Sequence, residues 1–229
     1  MCYKEKLLKK KMKMNKPIIT KNKMDVLELE NDCNGYARPI IKVKKIHPDA
    51  KTPIYQHYGD IATDLYAVSY TWNEERDCYE YHTGLVVESS YNYGGWIFPR
   101  SKNRETSCYL ANSVGLVDSA IYRGEIIVCF KDRTSSETRI KLAGMEAFVN
   151  SLGQNLDYEK AVQSKKQAEE EMLTRIKNLE FAPYKNLDKA VAQMVFMYND
   201  YVIYNELAEG EELNETERGT GGFGSTDKK

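Results

Sequence analysis

The sequence NSVGLVDSAIYRGEIIVCF, residues 112–130, contains the clearest strand pattern of the chain. Its Leu116-Val117 pair precedes Asp118, and a Tyr-Arg-Gly turn then leads into an apolar run that ends at Phe130. Short apolar segments bounded by turn residues are typical of buried β-strands. We therefore predict that Asp118 lies at a strand end or in a hairpin, where its side chain faces a cleft.

The segments on the N-terminal side repeat this pattern of short strands and turns. Ile41 and Val43 alternate with lysines, residues 83–88 precede a turn rich in Ser, Asn and Gly, and residues 96–98 run into a proline. Many short strands with frequent turns indicate an all-β barrel or jelly roll. We predict that this fold extends over residues 38–204.

Residues 157–180 differ in character, because they are rich in Glu, Lys, Gln and Ala. Their apolar residues recur at intervals of three and four, which places them on one side of a helix, opposite a charged side. These apolar residues are Ala161, Ala168, Met172, Leu173, Ile176 and Leu179. The pattern predicts an amphipathic helix, which either lies against the barrel or contacts a partner or the edge of an oligomer.

The 229-residue chain distributes its charges unevenly, although its formal net charge is only −1. Nine lysines and one acidic residue fall within residues 1–23, so we predict that residues 1–37 form a lysine-rich extension with a flexible start. No aromatic residues interleave with the lysines of residues 4–23, which argues against nucleic acid as a partner. The near-neutral balance also excludes bulk attraction to nucleic acid or membranes.

The C-terminal segment Arg218-Gly219-Thr220-Gly221-Gly222-Phe223-Gly224-Ser225-Thr226 is rich in glycine and poor in apolar side chains. Such a segment cannot bury enough surface to offset its ordering entropy, so we predict that residues 205–229 form a flexible arm. Glycine N–H groups, two hydroxyls and the planar guanidinium of Arg218 are suited to phosphate oxygens. The flat ring of Phe223 is suited to covering a base.

The composition also predicts a compartment. No apolar run is long enough to span a bilayer, and lysines stand where a signal peptide would have its apolar stretch. The five cysteines are an odd number without close pairing, which fits reduced thiols, and none of the three histidines is spaced with a cysteine as a zinc site requires. We predict a cytoplasmic protein without a membrane partner.

Five segments, in order, resemble the motifs of the trimeric dUTPases: residues 59–67 (GDIATDLYA), 98–101 (FPRS), 112–125, 192–196 (AQMVF) and 218–226. The resemblance implies a jelly-roll-like distorted β barrel, a homotrimer with shared active sites, and Mg²⁺-dependent hydrolysis of dUTP to dUMP and pyrophosphate. In that family a short link joins the strands of the third and fourth motifs. Residues 132–180, approximately, are therefore interpreted as a helical insertion in the barrel.

The resemblance also implies roles for individual residues. Asp118 is implied as the base that activates water for attack at the α-phosphorus, and Asp64 as a metal contact made through water. Main-chain groups of the hairpin would bind uracil, and Tyr122 would exclude a ribose 2′-hydroxyl. The residues implied in substrate binding are Arg100, Ser101, Asn112, Gly115, Tyr122, Gln193, Arg218, Phe223, Gly224, Ser225 and Thr226.

Two departures from the family pattern bear on these roles. Three residues separate Asp118 from Tyr122 where two are usual, which implies a bulge or a wider turn. Lys102 follows Ser101 where a small residue is common.

Two alternatives are open from the sequence. The related dCTP deaminases share the barrel, but that family lacks the glycine-rich motif of residues 218–226. A nucleotide-gated regulatory or interaction protein of the same fold would bind dUTP and use the added helix or the basic extension to contact a partner.

Overall fold

The computed structural model describes residues 39–90, 92–155, 157–199, 202, 204 and 206–214. Within these residues the chain forms three antiparallel sheets, which confirms the all-β prediction. The N-terminal extension and the glycine-rich motif lie outside the described residues. The strands are β1 Lys42–Lys45, β2 Thr63–Leu65, β3 Ser69–Asn73, β4 Cys78–His82, β5 Leu85–Glu88, β6 Tyr93–Pro99, β7 Cys108–Leu110, β8 Gly115–Val117, β9 Ile127–Asp132 and β10 Ala192–Tyr198.

Two four-stranded sheets share one hydrophobic core. The first has the strand order β2-β10-β6-β8 and the second the order β3-β4-β9-β7, while β1 pairs with β5 in a small third sheet. Alternate residues of each strand point inward because the side chains of a strand alternate between its two faces. The inward residues that form the centre of the core are Leu65, Tyr79, Tyr81, Ile97, Val128, Phe130 and Met194.

Tyr81 is the centre of an aromatic cluster in this core. Its ring stacks on Tyr70 at a centroid distance of 5.1 Å and meets Phe130 edge-on at 5.6 Å. Its hydroxyl accepts a hydrogen bond from the amide of Tyr184 at 2.9 Å, so the polar tip of this fully buried side chain is satisfied. The contact with Tyr184 holds the chain segment that leads into β10 and its site residue, Gln193.

Two long helices lie between β9 and β10: α1 Ser136–Asn155 and α2 Tyr158–Lys177. They pack against each other as a hairpin, in which Phe148 of α1 meets Tyr158 of α2 edge-on at 5.8 Å. The helix predicted over residues 157–180 corresponds to α2, whose N-terminus is capped by the Asp157 carboxylate. The first helix of the pair was not predicted from its sequence.

Arg139 of α1 attaches the base of the hairpin to the sheets. Its guanidinium lies 2.7 Å from the carboxylate of Asp132 at the end of β9 and covers the ring of Phe181 at 4.5 Å. The amide and hydroxyl of Ser136 donate to Asp77 in the β3–β4 turn. Neither helix has the length and hydropathy that a bilayer-spanning helix requires.

Candidate active site

A cavity of about 330 Å³ brings together four of the predicted site residues, Asn112, Gly115, Asp118 and Tyr122. Asn112 precedes β8, Gly115 begins that strand, and Asp118 directly follows it. The β8 strand therefore places a candidate base-binding amide and a candidate catalytic carboxylate around one opening. The side chain of Asp118 is exposed, as proton transfer with water requires.

A single helical turn accommodates the extra residue between Asp118 and Tyr122. The amides of Ile121 and Tyr122 both donate to the carbonyl of Asp118, at 2.9 and 2.7 Å. Ser119, inside the turn, is fully buried, and its hydroxyl lies 2.5 Å from that of Ser89. The extra residue is thus contained in a compact turn that the buried Ser119–Ser89 contact holds in place. Tyr122 lines the same cavity as Asp118.

Arg123 stabilises this turn from the outside, a role that the sequence did not reveal. Its guanidinium donates to the carbonyls of Ser119 at 3.1 Å and Ala120 at 3.0 Å, and it lies 3.2 Å from Glu88 on β5. The side chain therefore satisfies carbonyls that a single helical turn leaves without partners. A basic residue directly after the turn was the only available signal.

The ring of Tyr122 lies over Gly124, where a Cβ atom would overlap its phenol group. The Tyr122 hydroxyl donates to the carbonyl of Glu125 at 3.2 Å. A residue without a side chain is therefore required at position 124 for the ring to adopt this orientation. The ring is 47% exposed and is accessible to a sugar in the cavity.

Gly115 permits close packing at the start of β8. It is buried and pairs with Ile97 on β6, and a Cβ atom at this position would lie 3.1 Å from the Ile97 side chain. Just before it, the amide of Ala111 donates to the carbonyl of Cys129 on β9 at 2.8 Å. The backbone around Asn112 is thus held by strands of both large sheets.

Arg100, Asp64 and Gln193 form a second cluster, which does not line this cavity. Gln193 of β10 pairs with both Asp64 of β2 and Phe98 of β6, so the side chains of Gln193, Asp64 and Phe98 share one face of the first sheet. Asp64 is only 5% exposed, and its carboxylate lies 3.4 Å from Arg100 Nε. Ser101, exposed, begins a 3₁₀ turn over Ser101–Glu105 directly after Arg100.

Arg100 is incompletely satisfied in this cluster. One terminal nitrogen donates to the carbonyl of Ala190 at 3.1 Å, but the buried Nε has no hydrogen-bond partner among the residues described. A buried guanidinium nitrogen without an acceptor is unfavourable. That Nε faces the Asp64 carboxylate, and the other terminal nitrogen of this 27%-exposed side chain is the one that can donate to an oxygen such as that of a phosphate.

Asp64 suits an indirect contact with Mg²⁺ better than direct ligation. Its buried carboxylate already faces the positive charge of Arg100, and Mg²⁺ commonly retains several waters and binds through substrate phosphates. In the described part of the chain, no three carboxylate or histidine side chains converge; the one converging group of metal-ligating side chains contains two thiols.

Arg218, Phe223, Gly224, Ser225 and Thr226 lie outside the described residues, and their predicted roles stay predictions. The structure thus brings together one group of predicted residues around Asp118 and a second around Arg100, on two separate parts of the first sheet.

Comparison with known proteins identifies relatives of one activity. No protein-family model matches the chain. The chain is 29% identical over 187 residues to the deoxyuridine 5'-triphosphate nucleotidohydrolase of Picosynechococcus sp.. This aligned region covers 81% of this chain and 97% of that protein. It is 30% identical over 113 residues to the same enzyme of Trichodesmium erythraeum, covering 46% of this chain and 77% of that protein.

Among solved structures, a dUTPase of Staphylococcus bacteriophage 80alpha with dUPNHPP matches with a TM-score of 0.49 and 18% identity, over 81% of this chain and 97% of that chain.

Proposed function

Because this chain belongs to the deoxyuridine 5'-triphosphate nucleotidohydrolase family, we infer that it is a dUTP diphosphatase, which hydrolyses dUTP to dUMP and pyrophosphate. The observation that supports this function most directly in the structure is the cavity shared by Asn112, Gly115, Asp118 and Tyr122. It combines a carboxylate with a backbone hairpin, which are the groups that base recognition and hydrolysis require.

We propose that Asp118 is the general base of the reaction. Its exposed carboxylate would accept a proton from a water molecule that attacks the α-phosphorus, with pyrophosphate leaving on the opposite side. The compact turn after Asp118 holds the backbone of this residue through two hydrogen bonds to its carbonyl. The carboxylate therefore starts from a fixed point, which favours a productive alignment with the water.

Uracil would be bound by main-chain groups of residues 112–122. Backbone donors and acceptors in a tight hairpin can match the N3–H and carbonyls of uracil, and they leave the amino group of cytosine unpaired. The Tyr122 ring, held over Gly124, would pack against the deoxyribose and leave no room for a ribose 2′-hydroxyl. This arrangement supports discrimination on both the base and the sugar.

Arg100, Ser101 and Gln193 would bind the phosphates. A terminal nitrogen of the partly exposed Arg100 guanidinium, the exposed hydroxyl of Ser101 and the amide of Gln193 can all donate to phosphate oxygens. Arg218, Ser225 and Thr226 would contact the terminal phosphate, and Phe223 would cover the uracil. When bound with the substrate, Mg²⁺ would neutralise polyphosphate charge, and Asp64 would contact its hydration shell.

The separation of the two clusters supports a homotrimer with shared active sites. Asp118 and Tyr122 line one cavity of the chain and Arg100 and Gln193 do not, and an active site shared between subunits would bring the two groups together. The outward face of the first sheet also carries an apolar group, in which Leu116 is 64% exposed. With it on this face lie Trp96, Phe98 and Val195.

The decisive experiment is pyrophosphate release from dUTP, UTP, dCTP and dTTP by the wild-type chain and by Asp118→Asn. We expect turnover of dUTP alone, and a loss of roughly 10²–10⁴-fold in kcat for the variant with nucleotide binding retained. Binding of dUTP without any pyrophosphate release by the wild-type chain would instead favour a nucleotide-gated interaction protein. Release of ammonia from dCTP would favour a deaminase.

A further inference from the structure

Two thiols and a carboxylate converge on the β4–β9 ladder, and the proposed hydrolysis does not use them. The Sγ atoms of Cys78 and Cys129 and a carboxylate oxygen of Glu80 all lie within 4.8 Å of one another. Cys78 is buried, while Cys129 and Glu80 are half-buried. Such a set of side chains can bind a metal ion that accepts sulfur ligands.

The strand register explains why these three side chains meet. Glu80 of β4 is directly opposite Cys129 of β9, and Cys78 lies two residues before Glu80 on the same face of β4. All three side chains therefore project from a hydrogen-bonded ladder. A rigid ladder limits the rearrangement that binding an ion would require.

The same register favours a bridging ion over a disulfide. Cys78 and Cys129 are diagonal neighbours, for which the Cα separation is about 7–8 Å. A disulfide needs about 4.4–6.8 Å between Cα atoms, so this bond would require the backbone to move. A tetrahedral Zn²⁺ about 2.3 Å from each sulfur separates its ligands by roughly 3.8 Å, which the three side chains can reach with small shifts.

We propose that Cys78, Glu80 and Cys129 form a Zn²⁺ site, with a fourth position open to water or to another small ligand. Thiolates select Zn²⁺ over Mg²⁺, so this site would not compete for the ion of the hydrolytic reaction. Glu80 is oriented by Asn73, whose side-chain amide donates to its Oε1 at 2.9 Å. Such an outer hydrogen bond commonly fixes the orientation of a metal-ligating carboxylate.

Arg76 provides a competing charge. Its guanidinium lies 3.5 Å from Oε1 of Glu80, and its side chain is 70% exposed and can move into solvent when an ion binds. A cation this close to a ligand opposes metal binding. Removing Arg76 should therefore strengthen the binding of Zn²⁺, which is the opposite of what removal of a ligand does.

The proposed zinc site forms part of the wall of the cavity that contains Asp118. Glu80 and Cys129 both line this cavity, and the carbonyl of Cys129 holds the amide of Ala111, next to Asn112. The fourth coordination position would thus be accessible from the cavity. The assignment of the zinc site does not depend on whether the chain hydrolyses dUTP.

The test uses the full chain with Cys2→Ser and Cys33→Ser, so that Cys78, Cys108 and Cys129 are the remaining cysteines. Zn²⁺ is titrated in competition with a chromophoric chelator, and Co²⁺ is added as a probe for thiolate-to-metal charge transfer. We expect one Zn²⁺ per chain and a thiolate band in the cobalt spectrum. Cys129→Ser should weaken binding by more than the roughly 10–100-fold that loss of an outer partner costs.

Cys108→Ser is the matched control, because Cys108 is a buried cysteine outside this group. It should leave zinc affinity unchanged, and Arg76→Ala should raise it. If Cys129→Ser does not fold, two other measurements test the same site. Glu80→Gln should weaken zinc binding, and zinc should protect Cys129 of the parent chain from alkylation by iodoacetamide. Equal affinity with and without the ligand side chains, no thiolate band, or alkylation that zinc does not slow would overturn the proposal.

Discussion

At the scale of single residues, Gly124 carries a prediction about substrate choice. In Gly124→Ala the new methyl group would displace the Tyr122 ring that lies over this position. We expect kcat/KM for dUTP to fall about 10–100-fold, because a shift of the ring by about 1 Å would misalign the bound substrate. The preference for dUTP over UTP should fall with it, measured as the ratio of the two kcat/KM values.

Gly153→Ala is the control for this variant, since a Cβ atom at position 153 meets nothing within 4 Å. It should leave both kcat/KM values unchanged. Wild-type selectivity in Gly124→Ala would show that the position of the Tyr122 ring does not determine sugar discrimination.

The buried thiols carry a second prediction at this scale, on alkaline stability. Burial raises the pKa of Cys78 and of Cys108 to about 11, so folding favours the protonated thiol. The unfolded chain loses these protons near the ordinary thiol pKa of about 8.5. The free energy of unfolding should therefore be insensitive to these groups below that pH. It should then fall as the pH rises toward 11, by up to about 1.4 kcal/mol per pH unit for each thiol.

Denaturant unfolding at a series of pH values from 7 to 11, under reducing conditions, measures this slope. Cys108→Ala should have a shallower decline than the wild-type chain. A decline of equal steepness in both chains would show that Cys108 is not a source of the alkaline sensitivity.

At the scale of elements, the attachment of the helical hairpin depends on Arg139. Its partner Asp132 is largely buried, with its side chain 8% exposed, so Arg139→Ala would leave a carboxylate without its cation. We expect a loss of about 3 kcal/mol in the free energy of unfolding, measured by denaturant titration. Asp132 keeps its hydrogen bonds from Ser107 and Thr134, which limits the damage.

Lys141→Ala provides the comparison on the same helix. Lys141 pairs with Glu137 on the surface, and exposed pairs of this kind contribute about 0.5 kcal/mol or less. If the two variants were equally stable, the ion pair between Arg139 and Asp132 would not be what holds the hairpin to the sheets.

The elements differ in how far the sequence predicts them. The strands around Asp118 are readable because each has a short apolar run and a turn, and α2 is readable because its apolar residues lie on one side. Helix α1 was not predicted, although Leu142, Met145, Val149 and Leu152 recur at intervals of three and four along it. In the structure Leu142, Met145 and Val149 are 57%, 59% and 63% exposed, while Phe148 packs against Tyr158 of α2.

The group of Asp118 and Tyr122 and the proposed zinc site also differ in how far the sequence predicts them. The grouping of Asp118 with Tyr122 follows from their closeness in sequence, and their shared cavity from the turn. The meeting of Cys78, Glu80 and Cys129 depends on the register between β4 and β9, which no local pattern specifies. Spacing along the chain therefore predicted no zinc ligands, although side chains of the right kind meet across two strands.

At the scale of the whole molecule, the proposed trimer with shared active sites predicts complementation between inactive chains. One chain carries Asp118→Asn and keeps residues 215–229; the other keeps Asp118 and ends at residue 214. If the arm acts on the site of a neighbouring subunit, mixed trimers contain sites with both parts intact. In a ring of three, each mixed trimer has one such site, so the isolated mixed trimers should have about one third of the wild-type dUTP turnover.

The two chains would be produced together with different tags, and mixed trimers isolated by sequential affinity steps before the assay. Each chain alone provides the background. Mixed trimers that are as inactive as the parents would show that each chain completes its own site.

The turn between Asp118 and Tyr122 has one consequence for how this enzyme can change. The amide of Tyr122 is bonded to the carbonyl of Asp118, and Ser119 between them is bonded to Ser89, so both side chains extend from one fixed segment of backbone. Substitutions in this loop should therefore change the rate of dUTP turnover and the preference for dUTP over UTP in parallel. Ile121, 71% exposed at the tip, is the position where variation would disturb neither.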